Sequence, residues 1–261
     1  MDLGEGFTTP HFLRERVSHN ARNIRIEVRP DGEVRLVIPH RVSRRLAYDF
    51  LHSRKDWIKR KLAELDQRRA DIPPPLDLRW DGSDSLPLRG VPTPLLVMNA
   101  RVQRPTVRFG ETITLYCPAR LRGEHALLAR TMRDALRRLA RTDARHLLDE
   151  EAGRLGLEFC GPRIADQKSL WGSCSPDGLI SFNWRLVMAP TAVFRYVAVH
   201  EVCHLRHLDH SKRFWSLVAR QMPEFEQWRA WLRQHGAELH RVLPRAQGSA
   251  QPLDLLEPDQ L

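Results

Sequence analysis

The chain has 261 residues, of which 42% are apolar and 28% are charged, and its formal net charge is +10 at pH 7. This apolar fraction is too high for an intrinsically disordered chain, and the length allows one large or two small domains without disulfide bonds. Four cysteines in a chain of this length exclude a disulfide scaffold, and the absence of a C-x-x-C pair excludes a cysteine zinc ribbon. The basic excess predicts some attraction to nucleic acid or anionic ligands.

Three features of the sequence indicate the cellular compartment of the protein. It has no run approaching the roughly 20 unbroken apolar residues that a membrane-spanning helix needs. Residues 1–6 lack the basic and then apolar pattern of a secretory signal. Because cysteines are also few, we expect a cytoplasmic protein without a membrane partner.

The first half of the chain shows strand patterns on both sides of a helical pattern. Residues 24–38 alternate between apolar and polar on both sides of a Pro-Asp-Gly turn, which predicts two antiparallel strands. Residues 43–69 follow a helical spacing that Ser43 can cap and that the prolines at 73–75 end. Short β-branched runs within residues 76–118 predict a small sheet.

The second half begins with a predicted helix over about residues 124–153. One face of this helix carries a strip of arginines: Arg130, Arg133, Arg137, Arg138, Arg141 and Arg145. A solvated helix face is the favoured interpretation of this strip, and a phosphate- or nucleic-acid-binding strip is the alternative. Short strands are predicted around residues 163–165 and 179–182.

Three further helices are predicted towards the end of the chain. They run from Thr191, the expected N-cap, to about His207, from an N-cap at Ser211 to about Met222, and from Phe225 onwards. Beyond residue 240 the periodicity is lost.

The motif with the clearest chemistry is His200-Glu201-Val202-Cys203-His204. Residues four apart on a helix share one face, so His200 and His204 can place two imidazole nitrogens on one ion. Glu201 is rotated by about 100° and can flank a metal as a base without binding it. We expect Cys203, in the same motif, to be a small buried residue rather than a ligand.

A third ligand has to come from outside this helical pair. His210 would lie about 15 Å from His200 along a straight helix, so the helix must end near His207 and the chain must bend back if His210 closes the site. His210 is the favoured ligand. His207 is an alternative, and a carboxylate at Glu224 or Glu226 is another.

Residues 168–215 resemble the signature of the YgjP-like (DUF45) metallopeptidase family, which is related to the SprT-like zincins. The N-terminal hairpin resembles the family as well, and so do the following segments: Trp57–Leu62, Lys168–Ser175, Ile180–Leu186, Tyr196–Leu205 and His210–Trp215.

The resemblance implies an α+β, zincin-like fold with a small sheet beside the active-site helix. It implies His200, His204 and His210 as Zn²⁺ ligands and Glu201 as the catalytic base. We therefore expect an N-terminal hairpin, helix and small-sheet region over residues 1–118, a zincin-like core over 119–240 and a mobile tail over 241–261.

The expected activity is zinc-dependent hydrolysis of a protein or peptide substrate. Three histidines would leave a fourth zinc position for a water whose pKa the metal lowers and whose proton Glu201 can accept. One alternative is zinc-dependent hydrolysis of a nucleotide phosphoanhydride. Another alternative is a basic protein that associates with nucleic acid and has a purely structural metal. A third hypothesis combines this one with the expected activity: a peptidase that associates weakly with nucleic acid through its basic surface.

The segment before the motif contributes candidate substrate contacts. Trp171 and Trp184 could form walls of the cleft, and Ser173 or Asn183 could donate a hydrogen bond to substrate or to a ligand imidazole. The alternative interpretation is a packed tryptophan core and a Gly-Ser turn.

Overall fold

The computed structural model describes residues 13–28, 32–70, 76–167 and 170–244. These residues form two compact units, one within residues 13–70 and the other within residues 76–244. The domain limits expected at residues 118 and 240 stay a prediction.

The first unit contains a three-stranded sheet with two helices. Strands β1 (Leu13–Ser18), β2 (Arg25–Val28) and β3 (Val34–Pro39) lie in the order β1-β3-β2. The predicted antiparallel pair is confirmed as β2 and β3, while its turn residues 30 and 31 lie outside the described residues. Strand β1, parallel to β3, was not predicted, because its mostly polar sequence lacks an alternating apolar pattern.

The helix predicted from Ser43 is present but is divided into α1 (Arg44–Ser53) and α2 (Lys55–Ala70). Ser43 caps α1, because its side-chain oxygen accepts a hydrogen bond from the Leu46 N–H at 3.4 Å. The prolines at 73–75 lie outside the described residues. Both helices pack against one face of the sheet through a single apolar cluster: Val34, Leu36, Ile38, Ala47, Leu51, Ile58 and Leu62.

The second unit opens with the predicted sheet and long helix. Strands β4 (Asp84–Leu88), β5 (Val91–Asn99), β6 (Thr106–Phe109) and β7 (Ile113–Cys117) lie in the order β4-β5-β7-β6. A short 3-10 helix, Ala119–Leu121, leads into α3 (His125–Leu155), which ends at Gly156 in the left-handed conformation. Sheet and helix share one apolar core.

The remaining elements surround one buried helix. Strands β8 (Cys160–Ala165), β9 (Gly172–Cys174) and β10 (Leu179–Asn183) form a sheet in the order β8-β10-β9, and a 3-10 helix, Trp184–Met188, follows. Helices α4 (Thr191–His204), α5 (Lys212–Gln221) and α6 (Phe225–Arg241) complete the unit. Helix α4 packs against α3, α5, α6 and β9, so most of its side chains are buried.

The ends of two predicted helices differ in detail from the expectation. Pro190 is the N-cap of α4, so Thr191 is its first helical residue, and the helix ends at His204 rather than His207. Ser211 occupies the N-cap position of α5 without a side-chain hydrogen bond to the helix. The mixture of helices and small sheets is compatible with the expected α+β class. In the part of the chain that the structure describes, no helix has the length and apolar character needed to cross a bilayer.

Candidate metal centre

Three histidine side chains meet where α4 ends and the chain turns into α5. His200 and His204 lie one turn apart on α4, and the turn after His204 brings His210 back to them. The three Nε2 atoms are 3.2 Å apart for His200 and His204, 3.1 Å for His204 and His210, and 3.2 Å for His200 and His210. Within the described residues, this is the only group of three or more side chains whose potential ligand atoms lie this close together. The alternative ligands weighed above lie outside the group: His207, Glu224 and Glu226.

The spacing of the three nitrogens fits a shared cation. Donor atoms that are each 2.0–2.1 Å from one tetrahedral zinc lie about 3.3 Å apart. A second contact orients one ring, because His204 Nδ1 lies 2.9 Å from the backbone carbonyl oxygen of His207. If Nδ1 carries the proton and donates it to this carbonyl, the Nε2 lone pair is left facing the other two histidines. The cluster can therefore hold a metal ion, and His207 supports it through its backbone.

Aromatic packing holds the imidazoles in place. The Phe214 ring lies 4.9, 4.5 and 4.9 Å, between centroids, from the rings of His200, His204 and His210. Trp215 stacks on His210 with a centroid distance of 5.8 Å. Because such contacts restrict side-chain rotation, they keep the donor atoms facing one another. The sequence pattern predicted no role for Phe214, although it lies one turn after His210.

Glu201 lies in a closely packed, dry environment. Its side chain is 1% exposed, and its Oε1 atom has no hydrogen-bond partner among the described residues. Burial raises the pKa of this carboxyl to about 8. Burying a carboxylate oxygen without a partner costs free energy of folding. A proton, a water molecule or a cation at this atom would offset that cost.

Gly172 of β9 provides the space that Glu201 occupies. A Cβ atom at Gly172 would lie 2.4 Å from Glu201 Oε1 and 2.8 Å from its Cγ, far inside van der Waals contact. Residue 172 is therefore restricted to glycine as long as Glu201 keeps this position. From the sequence, Gly172 was expected only as part of a Gly-Ser turn and had no other role, because a contact between residues so distant in the chain leaves no local pattern.

The other predicted site residues take part in contacts within the chain. Trp171 is 5% exposed, and its ring centroid is 5.0 Å from that of His240. Asn183 is fully buried and donates a hydrogen bond from Nδ2 to the carbonyl of Gln167 at 2.6 Å. Ser173 pairs with Ser181 across β9 and β10 and is half-buried. Trp184 is fully buried. Substrate contact by Trp171, Ser173 or Asn183 stays a prediction.

A buried carboxylate joins the long helix to the helix that carries the histidines. Glu151 of α3 is fully buried and accepts hydrogen bonds from Arg195 Nε of α4 at 2.6 Å and from Arg154 Nη1 at 3.1 Å. The hydrogen bond to Glu151 raises the pKa of Arg195. This ion pair fixes α4 against α3, and no sequence pattern predicted it.

None of the four cysteines belongs to the histidine group. All four are free, and Cys203 is fully buried in α4, where burial raises its pKa to about 12. Its thiol is therefore protonated at neutral pH, as expected for a small packing residue. Cys174 is half-buried on β9, and burial, with a smaller contribution from Glu201, raises its pKa to about 11.

Comparison with known proteins supplies the family. The family model described as YgjP-like, metallopeptidase domain, matches residues 22–235, which is most of the chain and includes the histidine cluster, Glu201 and Gly172. Comparisons with curated proteins and with solved structures gave no match. The matched range contains the segments on which the sequence resemblance rests. The chain belongs to the YgjP-like family of metallopeptidase domains.

Proposed function

We propose that this protein is a zinc-dependent metallopeptidase in which His200, His204 and His210 hold the ion and Glu201 is the catalytic base. The observation that carries the proposal is the convergence of three Nε2 atoms within 3.2 Å of one another. Imidazole nitrogens are preferred zinc ligands, and three protein ligands leave a position open for water or substrate. Membership of a metallopeptidase family supports the reaction class.

The proposed chemistry divides between the ion and Glu201. When bound, the ion supplies a Lewis acid that polarises the peptide carbonyl and lowers the pKa of a water molecule. Glu201 accepts a proton from the attacking water and then delivers it to the amine that leaves. Its Oε1 atom has no partner among the described residues, and the charge of a bound cation would favour the ionised carboxylate that accepts this proton. The packing of Gly172 against the carboxylate holds the base in one position.

Substrate would bind beside β9. This strand pairs with β10 on one side and, in the described part of the chain, with no strand on the other. An unpaired strand edge can pair with the backbone of an extended peptide. Because Gly172 of β9 contacts Glu201, a peptide bound along this edge would pass close to the base.

Two further features belong to the proposal. We place β9, β10 and α4 in a zincin-like arrangement, which is supported by the packing of a small sheet against the helix that carries the motif. The compartment proposed is the cytoplasm, since four free cysteines suit a reducing environment.

The test combines metal content with a digest of a broad peptide library. We expect about one zinc per chain after gentle purification of both the wild type and Glu201→Gln, and peptide cleavage by the wild type alone. His200→Ala should lose zinc and cleavage together. Zinc-loaded wild-type protein that cleaves no peptide would contradict the proposal. Phosphate release from nucleoside triphosphates that Glu201→Gln abolishes would assign the site to phosphoanhydride hydrolysis instead.

A further inference from the structure

Basic residues are concentrated in the first unit. Its described residues contain 15 Lys and Arg against 7 Asp and Glu, a net charge of +8. The described residues of the second unit carry 24 against 18, a net charge of +6 in about three times as many residues. The histidine cluster belongs to the second unit.

Four arginines of the first unit lie on one face of its sheet. Side chains alternate along a strand, and Val34, Leu36 and Ile38 face α1 and α2, so Arg35 and Val37 of β3 face the other way. The register places Arg14 of β1 beside Arg35. It also places Arg16 of β1 and Arg25 of β2 on either side of Val37. We refer to Arg14, Arg16, Arg25 and Arg35 as the arginine face.

Two carboxylates accompany this face and neutralise part of it. Glu33 pairs with Arg35 at 2.7 Å and with Arg14 at 3.5 Å, and Glu27 lies opposite Arg35 in the register. Arg16 and Arg25 are exposed and form no ion pair within the part of the chain that the structure describes. The arginine face therefore keeps a net positive charge.

Val37 is the apolar residue between two arginines of this face. It is 3% exposed, yet it is not a member of the apolar cluster that α1 and α2 form with the sheet. Its neighbours across the strands are Arg16 and Arg25. Long arginine side chains cover apolar surface with their aliphatic carbons and keep the charged end in water.

We propose that the arginine face binds nucleic acid through its phosphate backbone. The planar guanidinium of arginine pairs with phosphate through two parallel hydrogen bonds, and a row of fixed cations matches a regularly charged polymer. The described residues of this face offer no exposed apolar side chain for insertion into a bilayer, which disfavours a membrane surface. Contacts to phosphate alone carry no direct sequence information, so binding depends on salt and little on sequence.

The arginine strip of α3 is the alternative surface for binding nucleic acid, and its contacts in the structure make it the weaker candidate. Three of its members donate hydrogen bonds to backbone carbonyls of the second unit: Arg133 to Pro244, Arg137 to Ile164 and Arg145 to Gly161. The other three, Arg130, Arg138 and Arg141, are exposed. They supply a control in which the same number of charges is removed from another basic surface.

The test measures binding of a fluorescent 20-nucleotide DNA by anisotropy at several salt concentrations, using the full chain. We expect wild-type binding whose dependence on salt weakens in Arg14→Gln/Arg16→Gln/Arg25→Gln. The slope of log K against log[salt] should fall by about 2 to 3, and affinity at low salt by at least about tenfold. The triple variant Arg130→Gln/Arg138→Gln/Arg141→Gln should keep the wild-type slope. Circular dichroism of both variants checks folding.

Three outcomes would overturn the proposal. One is equal loss of binding in the two triple variants, because total charge rather than the arginine face would then be responsible. Another is tighter binding to vesicles of anionic lipid than to DNA. The third is DNA binding by the wild type that does not weaken as the salt concentration rises, because contacts between arginine and phosphate would then not be responsible.

Discussion

Replacement of Gly172 by alanine tests whether β9 positions Glu201. The added Cβ would lie 2.4 Å from Oε1, 2.8 Å from Cγ and 2.9 Å from Cδ of Glu201. Ordinary contact requires about 3.4 Å or more, so the carboxylate must move by about 1 Å. Because Glu201 is surrounded by buried side chains, it cannot move freely. We therefore expect the free energy of unfolding of Gly172→Ala to be about 1 to 3 kcal/mol lower than that of the wild type.

The larger effect should be on activity. A displacement of about 1 Å in a catalytic group can lower the rate by about 100-fold. We therefore expect kcat/KM of Gly172→Ala, measured on a peptide identified in the library digest, to fall by about 10- to 100-fold. The zinc content should not change, because the three atoms closest to the added methyl group belong to Glu201 and none of them to a histidine.

Two further variants make this result specific. A Cβ atom added at Gly153 of α3 would meet no other atom within 4 Å, so Gly153→Ala should leave activity unchanged and supplies the matched control. In the Gly172→Ala background, shortening Glu201 to aspartate should recover part of the lost stability, because the overlap is relieved. Wild-type kcat/KM and stability in Gly172→Ala would show that Glu201 does not depend on this contact.

Further predictions concern the ligands, the base and the ion pair. His210→Ala should lower zinc affinity by at least about 100-fold in a chelator competition, whereas His207→Ala should change it little, since residue 207 contributes only its carbonyl. In metal-free protein, burial raises the pKa of Glu201 to about 8, so its contribution to stability is full below about pH 4.5 and is lost as the pH rises towards 8. The free energy of unfolding of Glu201→Gln, measured in urea, should therefore rise relative to that of the wild type by about 2 to 3 kcal/mol from pH 5 to pH 7. A difference between the two proteins that does not change with pH would contradict this reasoning. Glu151→Ala should cost about 2 kcal/mol of stability, because it leaves Arg195 without its hydrogen-bond acceptor, and an unchanged urea midpoint would refute that role.

Local sequence patterns predicted most of the helices and strands. Two patterns depend on neighbouring residues alone: the alternation in residues 24–38 and the helical spacing of apolar residues in α3 and α4. The structure confirms the elements that they predict. Patterns could not show the break at Arg54 or strand β1, because neither contains a proline, a glycine or an alternating apolar run. Both follow from packing within the first unit.

The histidine pair on α4 was determined by the sequence, since a spacing of four residues on a helix places two side chains on one face. The third histidine was one of several alternatives, and only the turn between His204 and His210 brings it within 3.2 Å of the others. The contact of Gly172 with Glu201 and the pairing of Glu151 with Arg195 join residues far apart in the chain. Such contacts leave no periodic trace in a single sequence, because they arise only when separate elements pack against one another.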